Sequence, residues 1–299
     1  MQTKIEKLPK STIKITVTVD NDTVKKAYEK TLDNAVKTTT VEGFRPGTAP
    51  KDMVKEKIGQ SKLYGDTIND ILETYYPQAL KENLINPVSN PKVEIKELDL
   101  EKDLEFTATV AVRPEMKIGE YKKKLKEKFD QKWDAAVKES EKAKAEGKEA
   151  HEPHVHMTTN DVLETLMAVT DTEISEILLE DETDRLLSRF MDQAQSIGLS
   201  VEQYLKSQNK TGEQLRSEYT KIAENNIKAE FVLSELIKME NVEVSDEEVE
   251  DMIKAAGDPK LVKAEDPMQR LYIKSILQKN KLISKLVEEA EGNKHHEHK

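Results

Sequence analysis

The apolar pattern of this chain changes period once, near Glu115, and that change bounds what it can fold into. Before it, apolar residues alternate with polar ones in short runs. After it they recur only at three- and four-residue spacing. Ile13, Ile15, Val17 and Val19 alternate over residues 12–19, as do Val93 and Ile95 after Pro91, and Phe106, Ala108, Val110 and Val112 before Pro114. These are half-buried strands, and the last two pair as a hairpin around Asp99–Asp103. Between the strands, Val24, Ala27, Tyr28, Leu32 and Ala35 predict a helix capped within Asp20–Asp22. Met53, Val54 and Ile58 predict a short one begun by Pro50 and stopped by Gly59. Ile68, Ile71, Leu72, Tyr75, Tyr76, Ala79 and Leu80 predict a longer one over about 61–83. Residues 1–114 are expected to form a compact α+β domain.

From Glu115 only helical signals remain. Over residues 119–149, Tyr121, Leu125, Phe129, Trp133 and Val137 lie four apart, and no large apolar residue follows from Lys138 to Ala150. The first half of that helix should pack and the second should stand in solvent, so residues 115–157 read as a charged helical linker. Residues 158–291 read as an all-α, elongated domain. Its helices start at the pairs Ser200/Gln203, Thr211/Gln214 and Ser245/Glu248, each spaced for a capping box. Apolar stripes run through Ile174, Ile177, Leu178, Leu186, Leu187, Phe190 and Met191, through Ile227, Phe231, Leu236 and Ile237, and through Met268, Tyr272, Ile276, Ile283 and Val287. Residues 292–299 read as a disordered tail.

Composition narrows the function classes. The chain is 36% hydrophobic and 35% charged, with a mean hydropathy of -0.71, too polar for one thick core and suited to long amphipathic helices. Of the net charge of -11, all but about one unit falls after residue 115. Acidic helices disfavour nonspecific nucleic-acid binding, and no basic stripe with interleaved aromatics marks a DNA-binding domain. The absence of cysteine removes disulfides, thiolate nucleophiles and cysteine zinc sites together. No apolar run reaches membrane-span length and no signal core opens the chain, so a cytoplasmic protein without membrane partners is expected.

Catalytic chemistry finds little to stand on. The six histidines lie at 151–156 and 295–298. His151, His154 and His156 with Glu152 have the residue types to bind a divalent metal, but such a short cluster reads mainly as an incidental linker. Carboxylate pairs such as Glu247 and Glu248 sit where helix caps and solvated faces need them. Phosphate-loop, dinucleotide and nucleophile-elbow motifs are missing, and neither a cofactor nor a catalytic residue is assigned. The segment Gly43-Phe44-Arg45-Pro46-Gly47-Thr48-Ala49-Pro50 is different. Its glycines permit positive φ, Pro46 stiffens the turn, and Phe44 and Arg45 form an apolar anchor beside a guanidinium. Residue types alone leave two readings open: a hairpin-like turn with Phe44 tucked inward, or a protein-docking pair.

This loop resembles the ribosome-docking signature of bacterial trigger factor, a ribosome-associated chaperone family. It also stands in the same order, after a strand and helix and before further helices and a hairpin. Residues 174–180 with 184–187 resemble the start of the family's helical arm, and residues 198–205 and 242–249 resemble its C-terminal domain. The resemblance implies an N-terminal ribosome-binding domain over 1–114 in which Gly43, Phe44, Arg45, Pro46 and Gly47 contact a tunnel-rim ribosomal protein and adjacent rRNA. It also implies a helical domain shielding unfolded nascent polypeptides without ATP, with Ile177, Leu178, Leu187, Phe190, Met191, Phe231, Tyr272 and Ile276 as candidates for the substrate cradle, and a homodimer when free. Two departures qualify it. Thr48 stands where the family often has Lys, and the match stops near Tyr121 and resumes near Thr159, where the family inserts an FKBP-type prolyl isomerase domain. No isomerase activity is expected, and the helix over about 119–147 is read as a spacer. Two other readings stay open: a ribosome-independent holdase or assembly chaperone, and a helical adaptor for one fixed protein partner.

Overall fold

The computed structural model describes residues 1–45, 47–146, 155–255 and 266–292. They divide into two compact units, Met1–Pro114 with Glu173–Asp181, and Glu115–Thr172 with the residues from Glu182 onward.

In the first unit, β1 (Gln2–Leu8) and β2 (Thr12–Val19) lead into α1 (Asn21–Thr38), α2 (Lys51–Ile58) and α3 (Gln60–Glu82), followed by β3 (Lys92–Ile95) and β4 (Leu104–Ala111). The strands form one antiparallel sheet in the order β1-β2-β4-β3. Its register explains the alternation. Ile5, Ile15, Ala108 and Val93 form one row across the sheet, and Val17, Phe106 and Ile95 another, so all lie on one face. That face buries Ile15, Val17, Phe106 and Val110 with Val24 of α1 and Ile71 and Ala79 of α3. Burial fades at the sheet edge, where Val93 and Ile95 stay more than one-third exposed. The hairpin between β3 and β4 has the expected pairing, and Asn21 ties its loop to the start of α1 by donating from Nδ2 to the Leu100 and Lys102 carbonyls.

The strand β1 carries no clean alternation, because Lys4, Glu6 and Lys7 interleave with Ile5. This is the charged composition of an edge strand that must not pair with another chain. Residues 175–180 also belong to this unit. Ser175 Oγ lies 2.9 Å from Thr12 Oγ1, Lys10 pairs with Glu176 at 2.8 Å, and Lys92 pairs with Glu180.

The second unit begins with β5 (Lys117–Ile118) and α4 (Tyr121–Ala145), then α5 (Thr159–Ala168) and β6 (Thr170–Asp171). Next come α6 (Glu176–Ser196), whose first residues are counted with the first unit, α7 (Val201–Gln208), α8 (Gly212–Met239), α9 (Asp246–Ala255) and α10 (Pro267–Glu291). Its core gathers Tyr121, Leu125 and Phe129 from α4, Val162 and Leu166 from α5, Val232 and Leu236 from α8, and Leu282 and Leu286 from α10. The first half of α4 is thus part of the helical body and not a spacer standing apart from it. Past Phe129 no residue of the helix is fully buried, and only the half-buried Trp133 still packs against the core.

All three capping boxes form, each with reciprocal bonds of 2.9–3.2 Å. A fourth joins Thr158 to Asp161 at the start of α5. A two-residue ladder between β5 and β6 accompanies the helices. Beside it the Gly119 amide donates to the Val169 carbonyl at 2.9 Å, and a Cβ at residue 119 would lie 3.1 Å from that oxygen, so the close approach favours glycine.

Candidate functional site

The loop after α1 is held at both ends and open at its tip. Val41 and Ala49 are buried against Val54 of α2, with Val36 and Ile58 packed around them. Lys57 donates through Nζ to the Thr40 carbonyl, and Lys51 pairs with Asp33 of α1. Between these anchors Gly43 and Gly47 take φ of +83° and +85°, the left-handed region where a side chain is strained. The Phe44 amide donates to the Val41 carbonyl at 3.1 Å, and the Thr48 amide donates to the Arg45 carbonyl at 3.0 Å. The Thr48 hydroxyl donates to that same carbonyl at 2.7 Å, so the residue that departs from the family's pattern closes the turn.

Phe44 is 38% exposed, Arg45 is exposed, and no carboxylate pairs with Arg45 among the described residues. A tucked-in Phe44 would have been far less accessible. Pro46 lies outside the described residues.

The helical unit turns on a carboxylate that no local pattern announces. Glu240, capping the C-terminus of α8, accepts from Tyr121 Oη at 2.6 Å, pairs with Lys122 at 2.8 Å and pairs with Lys285, joining the start of α4 and the end of α10. Lys122 in turn reaches Glu289 at 3.1 Å. The Lys122 ammonium, then Lys285 and Tyr121, hold the Glu240 carboxyl down to about 2. Burial, then the bond to Glu240, pushes the Tyr121 phenol up to about 12. At Asp161, burial acts upward but is outweighed by donors on Lys132 and Thr158, which leave it at about 2.

The cradle candidates are dispersed. Ile177 is only 6% exposed and Leu178 is half-buried, and both sit in the segment that belongs to the first unit. Leu187, Phe231 and Ile276 are half-buried. Phe190 packs its ring 4.7 Å from Tyr204 and 5.6 Å from Tyr219, bridging α6, α7 and α8. Met191 and Tyr272 are exposed, as is Met268 from the same apolar stripe as Tyr272, and they are joined by Ile197, Ile222, Met239, Met252 and Leu271, which periodicity did not single out. Met268, Leu271 and Tyr272 share one face of the first turns of α10, at i, i+3 and i+4.

Among the described residues no group of His, Asp and Glu is arranged to hold a metal, and no helix is long and apolar enough to cross a membrane. His151 and His154 lie outside the described residues. His156 Nδ1 stands 3.6 Å from Glu291, whose buried carboxylate accepts from the Met157 amide at 2.8 Å.

The fold thus joins an α+β domain presenting a pinned loop with exposed Phe44 and Arg45 to a helical unit bearing exposed apolar side chains. A family model for "Bacterial trigger factor protein (TF)" matches residues 1–146, and one for "Bacterial trigger factor protein (TF) C-terminus" matches residues 118–290. The chain belongs to the bacterial trigger factor family. Trigger factor of Clostridium acetobutylicum is 41% identical over 122 residues, a stretch covering 41% of this chain and 28% of that protein. Trigger factor of Clostridium kluyveri is 38% identical over the same extent. This chain therefore matches little more than a quarter of the length of these curated relatives. A solved structure of the trigger factor chaperone, from work on promiscuous substrate recognition in its folding and assembly activities, superposes with a TM-score of 0.64 at 15% identity, covering 97% of this chain and all of that one. That likeness concerns the fold.

Proposed function

We propose that this protein is an ATP-independent chaperone that docks at the ribosomal exit tunnel through Gly43, Phe44, Arg45, Pro46 and Gly47 and shields apolar segments of unfolded nascent polypeptides. One observation carries the reading: Phe44 and Arg45 are presented to solvent on a loop fastened at both ends, in a member of the trigger factor family. An exposed aromatic beside a guanidinium that no carboxylate pairs with among the described residues does nothing for the fold, whereas it suits a rigid docking pair facing a ribosomal protein and neighbouring rRNA phosphates. The pinned loop keeps the ordering cost of association low. The exposed methionines of the helical unit suit clients of varied shape, because the thioether side chain is flexible and polarisable.

Prolyl isomerisation is not part of this reading. Only eight residues separate Glu146 from Val155, far too few for an inserted domain. The triple variant Gly43→Ala, Phe44→Ala, Arg45→Ala tests the docking claim by ribosome co-sedimentation. Loss of co-sedimentation with unchanged far-UV circular dichroism is the expected result, and unchanged co-sedimentation overturns it. If aggregation suppression by the same variant stays at the wild-type level, shielding of clients is separable from docking. A stable, stoichiometric partner after purification would favour the adaptor reading instead.

A further inference from the structure

The first unit has two apolar cores of unequal size. The larger joins the inner face of the sheet to Val24 of α1 and to Ile71 and Ala79 of α3. The smaller has three buried side chains, Val41, Ala49 and Val54, with Ala35, Val36 and Ile58 packed around them. No residue from Ala35 to Ile58 is shared with the larger core. The docking loop is thus carried by a satellite cluster of its own.

Val54 is the centre of that cluster. The helix α2 is eight residues long, starts at Pro50 with no side-chain cap and stops at Gly59, whose φ is +84°. A helix so short does not hold itself together in water, and Val54, at 0% exposure, is its one fully buried residue. It packs with Val41 and Ala49, which flank the exposed stretch of the loop on either side. The polar pins are weaker. The side chains of Lys51 and Asp33 are 53% and 52% exposed, Lys57 and Thr40 are exposed, and Lys55 stands 6.0 Å from the centre of the Tyr28 ring, the limit of a cation–π contact. Each of these competes with water.

We infer that Val54 is a positioning residue for the docking pair: it closes the end of α1, the loop and α2 into a small unit that opens while the sheet stays folded, and Phe44 and Arg45 are presented for docking only in the closed form. The inference rests on the docking reading and adds what sets docking competence. At 0% exposure Val54 touches no partner itself, so its whole effect passes through the loop that it holds. Opening frees Val41 and Ala49 together and releases both limbs of the loop in one event. A docking pair on a released loop has to be ordered again on association, which lowers apparent affinity by the fraction of chains that are closed.

The test combines amide hydrogen exchange of the full chain, at several urea concentrations, with ribosome co-sedimentation. In the wild type the amides of Met53, Val54 and Gly59, bonded to the Pro50 and Lys55 carbonyls, should exchange faster than the paired amides of β2 and β4 and respond less to urea, because a small opening exposes little surface. Val54→Ala, which removes two buried carbons, should speed their exchange about tenfold. Val54→Asp should hold the unit open: α2 loses protection, β2 and β4 keep theirs, and co-sedimentation is lost although Phe44 and Arg45 are intact. Met53→Asp places the same charge on the neighbouring residue, which is 41% exposed, and should leave exchange and co-sedimentation as in the wild type. Equal exchange and equal urea response in α2 and the sheet overturn the inference, as do an unchanged rate in Val54→Ala, loss of sheet protection in Val54→Asp, or loss of docking in Met53→Asp. If the wild type docks and Val54→Asp docks as well, the inference alone fails; if the wild type does not co-sediment, the docking reading fails and the inference with it.

Discussion

Replacing Glu240 with Gln should weaken the helical unit in a way that depends on pH. The carboxylate takes a hydroxyl and two ammonium groups from α4 and α10, and its pKa falls from 4.5 to about 2. A carboxylate with a depressed folded pKa contributes stability that is complete above its unfolded pKa, near 4.5, and is lost as pH drops toward about 2. Taken at face value, the shift corresponds to about 3 kcal/mol. The side chains of Lys122 and Lys285 are 50% and 41% exposed, so screening reduces this to about 1–2 kcal/mol.

Glu240→Gln keeps the shape and an acceptor for Tyr121 while removing the charge. It should lower unfolding free energy by that amount at pH 7 and by much less at pH 2.5. Urea titrations followed by tryptophan fluorescence measure it cleanly, because the chain has one Trp, and Trp133 packs 6.2 Å from Phe129 beside this core. A loss below about 0.3 kcal/mol at pH 7, or one of equal size at both pH values, would refute the electrostatic account.

Asp161→Asn removes the Lys132 pair and the charged half of the capping box, and should cost about 1–2 kcal/mol at pH 7 by the same fluorescence assay, the difference fading below pH 4. Changing Met268, Leu271 and Tyr272 together to Ser should reduce suppression of client aggregation while unfolding free energy moves by no more than about 1.5 kcal/mol, since all three are mostly exposed. Gly47→Val, forced to φ near +85°, and Thr48→Val, lacking the bond to the Arg45 carbonyl, should both accelerate amide exchange at residues 44–48 and weaken ribosome co-sedimentation, the first more strongly.

Strands and helices with a buried face were readable in the sequence because burial imposes a period. Ile15, Val17 and Val19, or Tyr121, Leu125 and Phe129, announce their environment. The strand β1 escaped because an edge strand is selected for charge as much as for alternation. The extent of exposure was also illegible: Phe231 and Leu271 are similar apolar residues on helices, yet one is half-buried and the other largely open, and only the packing of α8 and α10 decides which. At the candidate site, the Phe44 and Arg45 chemistry was visible, whereas the role of Thr48 depended on turn geometry. The Glu240 hub joins residues 119 and 45 positions away in sequence, a separation that local spacing cannot bridge.

The short ladder between β5 and β6 has an evolutionary consequence. It closes the excursion from Gly119 to Val169 at its base, the Lys132–Asp161 pair ties the two arms again further out, and the fully buried core residues of α4 and α5 lie within the closed part. The join between α4 and α5 is therefore a port at which chain length can change with little effect on the body: closing a loop twice as long costs only about 0.6 kcal/mol.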